Sequence, residues 1–434
     1  VWISRQVAVL LEVLCEGDGV AQQVETSRRL SSGTGAVPLA LGGTLGAGLL
    51  LGPAPAAAAA GPWFPLGLLL ALATAVCCSV SSAHASVAYR GPGAGYACAR
   101  SQLGLVPSRI AGGTCLAGHV FALAAAGRVV GDLFAPSAAS WTAAAVVLLV
   151  VLLATAGLRF RGAVAWGWLA LNLAVVAVVV LACFAIQPVD TPVFEPPETD
   201  TAVGITGAAG ALVFAYFGFE RLTAPATEAD RYRWPAVKCG TWFALAVITV
   251  LLGTLTAALA RQLGWSRLAL SSAPVRDALT AASAADLLPL VGAGVAVGLL
   301  PALHAGLESF RSTALAMLRE RELPAFLGRT SSAGTPYLLD LAAGLTAAVL
   351  ALLLDPVTAM LTACCCLLVY YALTNAGVRV LLTKSRNWPM RAACLGMALS
   401  VVLLMSLPVH ALLTTLTVVV VCPLLSGLWT RRWS

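Results

Sequence analysis

The chain has 434 residues, 59% of them apolar and only 10% charged, with a formal net charge of +7. A soluble domain is about half apolar and about a quarter charged, so these values exclude a water-soluble enzyme or binding module and require a chain that lies largely in lipid. The positive charge sits in short segments between apolar runs, where it reads as membrane topology and not as a nucleic-acid surface.

Residues 1–35 read as a cytoplasmic segment. They carry Glu12, Glu16, Asp18, Glu25, Arg28 and Arg29, which is not the pattern of a cleavable signal peptide. Apolar runs then follow at 36–61, 63–89, 109–134, 138–158, 163–186, 203–227, 236–260, 284–318, 337–354, 357–382, 391–409 and 411–429. Each is near the roughly 20 residues that cross a bilayer as a helix. They are far longer than barrel strands of about 10 residues. The pattern predicts an all-α polytopic membrane protein with 12 transmembrane helices. The run 284–318 is too long for one level crossing and predicts a single tilted helix that projects into the cytoplasm.

With the N-terminus inside and the spans alternating, all but four of the 26 Lys and Arg residues fall on the cytoplasmic side; the exceptions are Arg128, Arg261, Arg267 and Arg276. The positive-inside rule therefore predicts that both termini are cytoplasmic. The expected outside loop 187–202 holds Asp190, Glu195, Glu198 and Asp200 and no basic residue. Of the 12 cysteines, Cys77, Cys78, Cys115, Cys183, Cys364, Cys365, Cys366 and Cys394 lie inside apolar runs and read as small buried residues. His84, His119, His304 and His410 never pair at metal-binding spacing, so neither a metal nor another cofactor is expected.

Two spans contain helix breakers. The first reads Gly42-Gly43-Thr44-Leu45-Gly46-Ala47-Gly48, with Pro53 and Pro55 beyond. Each such glycine weakens a helix by roughly 1 kcal/mol. Unwound backbone survives in lipid only where it lines a cavity or is buried in protein. The sixth reads Phe214-Ala215-Tyr216-Phe217-Gly218-Phe219-Glu220, then Pro225. Glycine runs also serve close helix packing, but interrupted segments at matching places in two halves point to a transporter built from inverted repeats. A five-plus-five repeat gives 36–186 as the first unit and 203–382 as the second. Spans at 391–429 and a tail at 430–434 follow. A half-helix N-terminus attracts a carboxylate and exposed carbonyls accept from an ammonium, so a site with both suits a zwitterionic amino acid.

These residues carry a resemblance. Leu41 to Leu49 followed by Ala60-Gly61-Pro62 resembles the first span of the amino acid–polyamine–organocation superfamily, and most closely the cationic amino acid transporters. Gly93-Ala94-Gly95-Tyr96 with Gly104, Phe214 to Glu220, Ala314 to Met317 with Leu323, Thr335-Pro336 and Leu367 to Tyr370 resemble further motifs of that family. The resemblance covers about residues 36–430 and implies a LeuT-type five-plus-five inverted repeat with broken helices 1 and 6. It implies transport of amino acids, cationic amino acids among the candidate substrates, by alternating access in the plasma membrane. Gly46, Ala47 and Gly48 would bind the substrate carboxylate. Carbonyls at Leu45, Phe214, Ala215 and Phe217, beside Gly218, would take the ammonium. Phe214 or Phe219 would close the outer gate.

Departures from the family pattern bear on mechanism. His84 stands where many relatives carry a glutamate, and reads as a hydrogen-bonded intramembrane histidine or a proton relay. Thr114 and His119 replace an asparagine and a tyrosine. Gly118 replaces a carboxylate of some relatives and leaves a lysine or arginine substrate without an acidic partner. Asn172 replaces a lysine of proton-coupled members and points to facilitated transport or exchange. Thr227-Glu228 and Arg231 to Trp234 depart after the sixth span, and Arg319 to Glu322 at the end of the eighth. His304 and Glu308 share a helix face and read as a coupling pair or a structural one. Glu220 would orient the unwound turn, and Arg128 would snorkel or pair locally. A competing reading keeps the fold and makes the chain an amino-acid sensor or a non-transporting paralogue. An enzyme is not expected, because no triad, metal spacing or phosphate loop is present.

Overall fold

The computed structural model describes residues 36–158, 163–186, 201–224, 234–331, 334–383 and 387–431. The expected segment 1–35, most of the acidic loop 187–202, the departures at 227–228 and 231–233, and most of the tail lie outside the described residues. Among the described residues every regular element is helical. In chain order the α-helices are α1 (Ala36–Thr44), α2 (Ala47–Leu51), α3 (Pro53–Ala60), α4 (Phe64–Ala88), α5 (Ala94–Leu103), α6 (Leu105–Phe134), α7 (Ala139–Thr155), α8 (Ala163–Ala185) and α9 (Thr201–Leu212). They continue with α10 (Glu220–Thr223), α11 (Trp234–Leu270), α12 (Pro274–Ala281), α13 (Leu288–Gly298), α14 (Leu300–Arg319), α15 (Tyr337–Leu353), α16 (Pro356–Leu381), α17 (Trp388–Met405) and α18 (Val409–Arg431).

Nine helical stretches among the described residues are long and apolar enough to cross a membrane, and the shorter apolar helices Thr201–Tyr216 and Tyr337–Leu353 accompany them. The chain is a polytopic membrane protein. The expected long run 284–318 is one apolar stretch, Ala285–Arg319, with a local interruption at Leu299 where α13 and α14 meet. Pro301 is the cause, since its nitrogen carries no hydrogen to continue the ladder.

α6 and α16 pack against each other and form the centre, with most of their residues buried. Small residues let the neighbours close in on α6. A side chain at Gly112 would strike Met317 of α14, at Gly113 Cys422 of α18, at Gly118 Leu367 of α16, and at Gly127 Val147 of α7. On the periphery, α18 exposes Leu413, Leu416, Val420, Leu424 and Leu428. In water this would be an adhesive patch; in a bilayer it is the ordinary lipid-facing surface. The cysteines at 77, 78, 98, 115, 183, 364, 365 and 366 are buried as free thiols among the helices.

One end of the bundle gathers the arginines. Glu322, whose side chain is fully buried, binds Arg100 of α5 at 2.6 Å and Arg109 of α6 at 3.2 Å. It also accepts a 2.8 Å hydrogen bond from the Tyr96 hydroxyl. Burial and the adjoining Glu322 carboxylate push the Tyr96 hydroxyl pKa up. Arg109 in turn donates to Thr430 near the end of α18. The start of α6 and the ends of α14 and α18 therefore share this arginine-rich face. The end of α6 and the start of α12 meet at the opposite face, around Asp132, Leu133 and Pro274.

Candidate functional site

The two interrupted segments meet in space. Helix α1 stops at Thr44, and Gly46 takes an extended conformation (φ −117°, ψ −159°) before α2 begins at Ala47. Gly52 keeps helical angles, so α2 runs on into α3. The first N–H groups of a helix have no acceptor within it, and those of Ala47 and Gly48 open this one. In the second break, α9 tightens into a 3₁₀ turn over Val213–Tyr216. Phe217 (φ −73°, ψ 56°) then forms an inverse γ-turn, with the Gly218 N–H donating to the Tyr216 carbonyl at 2.8 Å. The Phe214 carbonyl here accepts from the Phe217 N–H at 3.2 Å in place of an α-helical donor and keeps a second lone pair.

Gly48 is where the breaks touch. A Cβ on it would lie 2.7 Å from both Cα and N of Ala215 and 2.9 Å from the Phe214 ring. Only a residue without a side chain allows that approach. Around the junction lies a cavity of about 60 Å³ lined by Gly46, Ala47, Gly48, Phe214, Phe217 and Gly218. Helix α14 completes the wall with Ala302, Ala305, Gly306 and Ser309, and α6 adds His119 and Leu123. Thus six of the eight expected binding positions from the glycine break and the aromatic break line one space. Ala215 supplies the backbone contact behind them. Leu45 is buried beside the bend, with its N–H donating to the Leu41 carbonyl at 2.9 Å.

Towards the arginine-rich face a second cavity of about 160 Å³ opens, lined by Leu39, Gly93, Glu220, His304, Glu308 and Thr335, among others. Arg221 and Ser309 line both cavities. Arg221 donates to Glu308 at 2.6 Å, and Glu308 stands 3.7 Å from His304, whose Nε2 lies 3.0 Å from the Leu158 carbonyl. From the sequence Arg221 stands only among the basic residues of the inner side. A signal was available: an arginine at position 221 lies inside the apolar run 203–227, and intramembrane charges face a bundle interior or cavity.

The other candidates are placed apart from the small cavity. Phe219 is fully buried against Tyr371, with ring centroids 5.5 Å apart. The Glu220 carboxylate is hydrogen-bonded by the hydroxyls of Tyr370 and Tyr371 and faces the larger cavity. His84 meets the Trp234 ring edge-on at 5.8 Å. Asn172 donates to the Gly298 carbonyl at 2.8 Å, beside the α13–α14 joint. Thr114 folds back on the Ile110 carbonyl. Arg128 pairs locally with Asp132 and Ser140. His119 holds its Nδ1 2.8 Å from the Cys115 carbonyl. A carbonyl can only accept, so Nδ1 carries the proton and Nε2 offers a lone pair. Leu367 fills the space beside Gly118.

No family model matches the chain. It is 32% identical over 354 residues to an uncharacterized transporter of Mycobacterium bovis, covering 80% of this chain and 79% of that protein. The same identity and coverage relate it to uncharacterized transporters of two Mycobacterium tuberculosis strains.

Proposed function

We propose, from the premise that the chain belongs to the family of these mycobacterial transporters, that it moves amino acids across a membrane by alternating access. In this reading the fold is the LeuT-type inverted repeat of the amino acid–polyamine–organocation superfamily. The repeat units are 36–186 and 203–382, twelve spans are present in all, and both termini are cytoplasmic. The observation that carries the reading is the junction at Gly48, where the helix start of the first break abuts the carbonyl-bearing turn of the second.

The chemistry follows from what each break presents. The open N–H groups of Ala47 and Gly48, at the positive end of the α2 dipole, hold the substrate carboxylate. The carbonyls of Phe214, Ala215 and Phe217 accept from its ammonium. Both sets are main-chain groups, so the site reads the part common to all amino acids and leaves the side chain to the walls. Those walls are alanine, glycine, leucine and phenylalanine with Ser309, His119 and Arg221, and none of the lining residues is a carboxylate. A lysine or arginine side chain would enter without an acidic partner, next to a guanidinium. We therefore read the substrate as an amino acid with a small neutral side chain.

Uptake of labelled alanine, leucine, lysine and arginine into proteoliposomes tests this, with Gly46→Leu as control. Gly46 has backbone angles open to any residue, so leucine there fills the cavity without backbone strain. The expected result is saturable uptake of alanine, in preference to leucine, lysine and arginine, that Gly46→Leu abolishes. Absence of uptake from folded protein, with alanine still raising its melting temperature, would replace the transporter with a sensor on the same scaffold.

A further inference from the structure

The transport reading leaves open what separates the two cavities. They share only Arg221 and Ser309 among their lining residues. Ser309 is a small residue beside its neighbour Glu308 on α14. The partition is therefore essentially the Arg221 side chain and the carboxylate it reaches, 2.6 Å away. The two groups come from different structural contexts. Arg221 rides on α10, a four-residue helix just beyond the second break. Glu308 sits mid-way along the 20-residue α14, braced by His304 one turn earlier. A contact between a short hinged piece and a long fixed one can open without dismantling the bundle.

Burial favours a barrier over a surface ion pair. The Arg221 side chain is 8% exposed and that of Glu308 23%. The guanidinium is nearly withdrawn from water while the carboxylate still reaches the larger cavity, and removing the carboxylate strands the guanidinium. Arg221 lines both cavities, while Glu308 lines only the larger one towards the arginine-rich face. Passage between them requires the guanidinium to leave the carboxylate.

We propose that the Arg221–Glu308 ion pair is the gate between the binding cavity and the arginine-rich face, closed in this structure and broken when substrate passes. The proposal rests on the transport reading for its purpose but not for its geometry. Neither residue needs to touch substrate; they act as positioning residues that set which face the cavity meets.

The test uses Ala302→Cys, at a position that lines the small cavity and not the larger one. Membrane vesicles of each orientation are exposed to an impermeant maleimide, and modification at position 302 is read by mass spectrometry. A pair that biases the closed arrangement by about tenfold gives slow labelling from the arginine-rich face. Adding Glu308→Gln then speeds labelling by about that factor from that face alone. The exchanged pair, Arg221→Glu with Glu308→Arg, returns the rate towards that of the parent. If Glu308→Gln is not recovered as a folded monodisperse protein, Arg221→Lys is read instead. It keeps the charge but loses the planar fork, and a smaller acceleration is expected. Unchanged labelling in the folded variants, equal acceleration from both faces, or no restoration by the exchange overturns the gate. Amino acid uptake by the unsubstituted protein is measured separately. If uptake is absent while the labelling pattern holds, the transport reading fails and the partition stands.

Discussion

Replacing Gly48 by alanine is the most direct challenge to the site. The added methyl carbon would lie 2.7 Å from the Ala215 Cα and N, where ordinary contact begins at 3.4 Å. Both obstructing atoms are backbone, so no rotamer change relieves them, and the two breaks must part by about 0.7 Å. Forcing a methyl group into a packed site of this kind costs about 1–3 kcal/mol. The same displacement moves the α2 N–H groups away from the opposing carbonyls, and a zwitterion bridging the two loses contact at one end. Gly46→Ala is the matched control, because its Cβ would meet the Ala302 Cβ at 3.4 Å and its backbone is extended. Thermal melts in nanodiscs and uptake in proteoliposomes are the assays. Gly48→Ala is expected to melt lower and to raise KM for uptake by at least tenfold, about 1.4 kcal/mol in binding, while Gly46→Ala stays near the parent. If the two variants behave alike, the breaks do not define the site through their close approach.

Glu322→Gln is expected to destabilise the protein by about 3 kcal/mol, the lower end for breaking a buried pair because Arg100 keeps access to water; a melt indistinguishable from the parent would refute it. The bidentate Arg311–Asp340 pair, at 3.0 and 2.6 Å with the carboxylate fully buried, should respond similarly to Asp340→Ala, and a double variant with Arg311→Met should recover much of the loss in the same melt. Gly118→Glu alone would drive its Cβ to within 2.7 Å of the Leu367 Cγ and should misfold, whereas Gly118→Glu with Leu367→Ala should fold and gain stabilisation by lysine over alanine, read as the melting shift with each ligand. The raised Tyr96 pKa favours the folded state below the ordinary tyrosine value of 10.0. That contribution is lost as pH rises above 10, so stability should fall there less steeply in Tyr96→Phe than in the parent, measured by melts across the alkaline range.

What could be read from residue order was the part that repeats locally. Apolar runs located most helices within a few residues, because lipid forces backbone hydrogen bonds to close inside each segment; the run 236–260 falls short of its helix, which continues past a non-helical Gly264 to Leu270. The glycines at 42–48 and the aromatic run at 214–219 marked the breaks, since helix breakers in a span demand a tertiary reason. What could not be read was pairing across the bundle. Arg221 and Glu308 are 87 residues apart, and nothing local links them. Phe219 and His84 have the residue types for a gate and a relay; the structure sets Phe219, in the turn before α10, against Tyr371, and His84 of α4 against Trp234, contacts that no local pattern announces.

The Glu322 cluster has a consequence for biosynthesis. Its arginine partners precede it by 222 and 213 residues. At about 5–20 residues per second, the ribosome makes Arg100 and Arg109 some tens of seconds before their carboxylate exists. During that interval two cations stand unneutralised at one end of a half-built bundle, where anionic headgroups offer the nearest counter-charge. They would hold the early helices in register at the membrane surface until the later half arrives. Glu322, with Glu320 3.6 Å from Arg100, then replaces the lipid and closes the two halves on one another, and Thr430, made 321 residues after Arg109, joins the cluster later still.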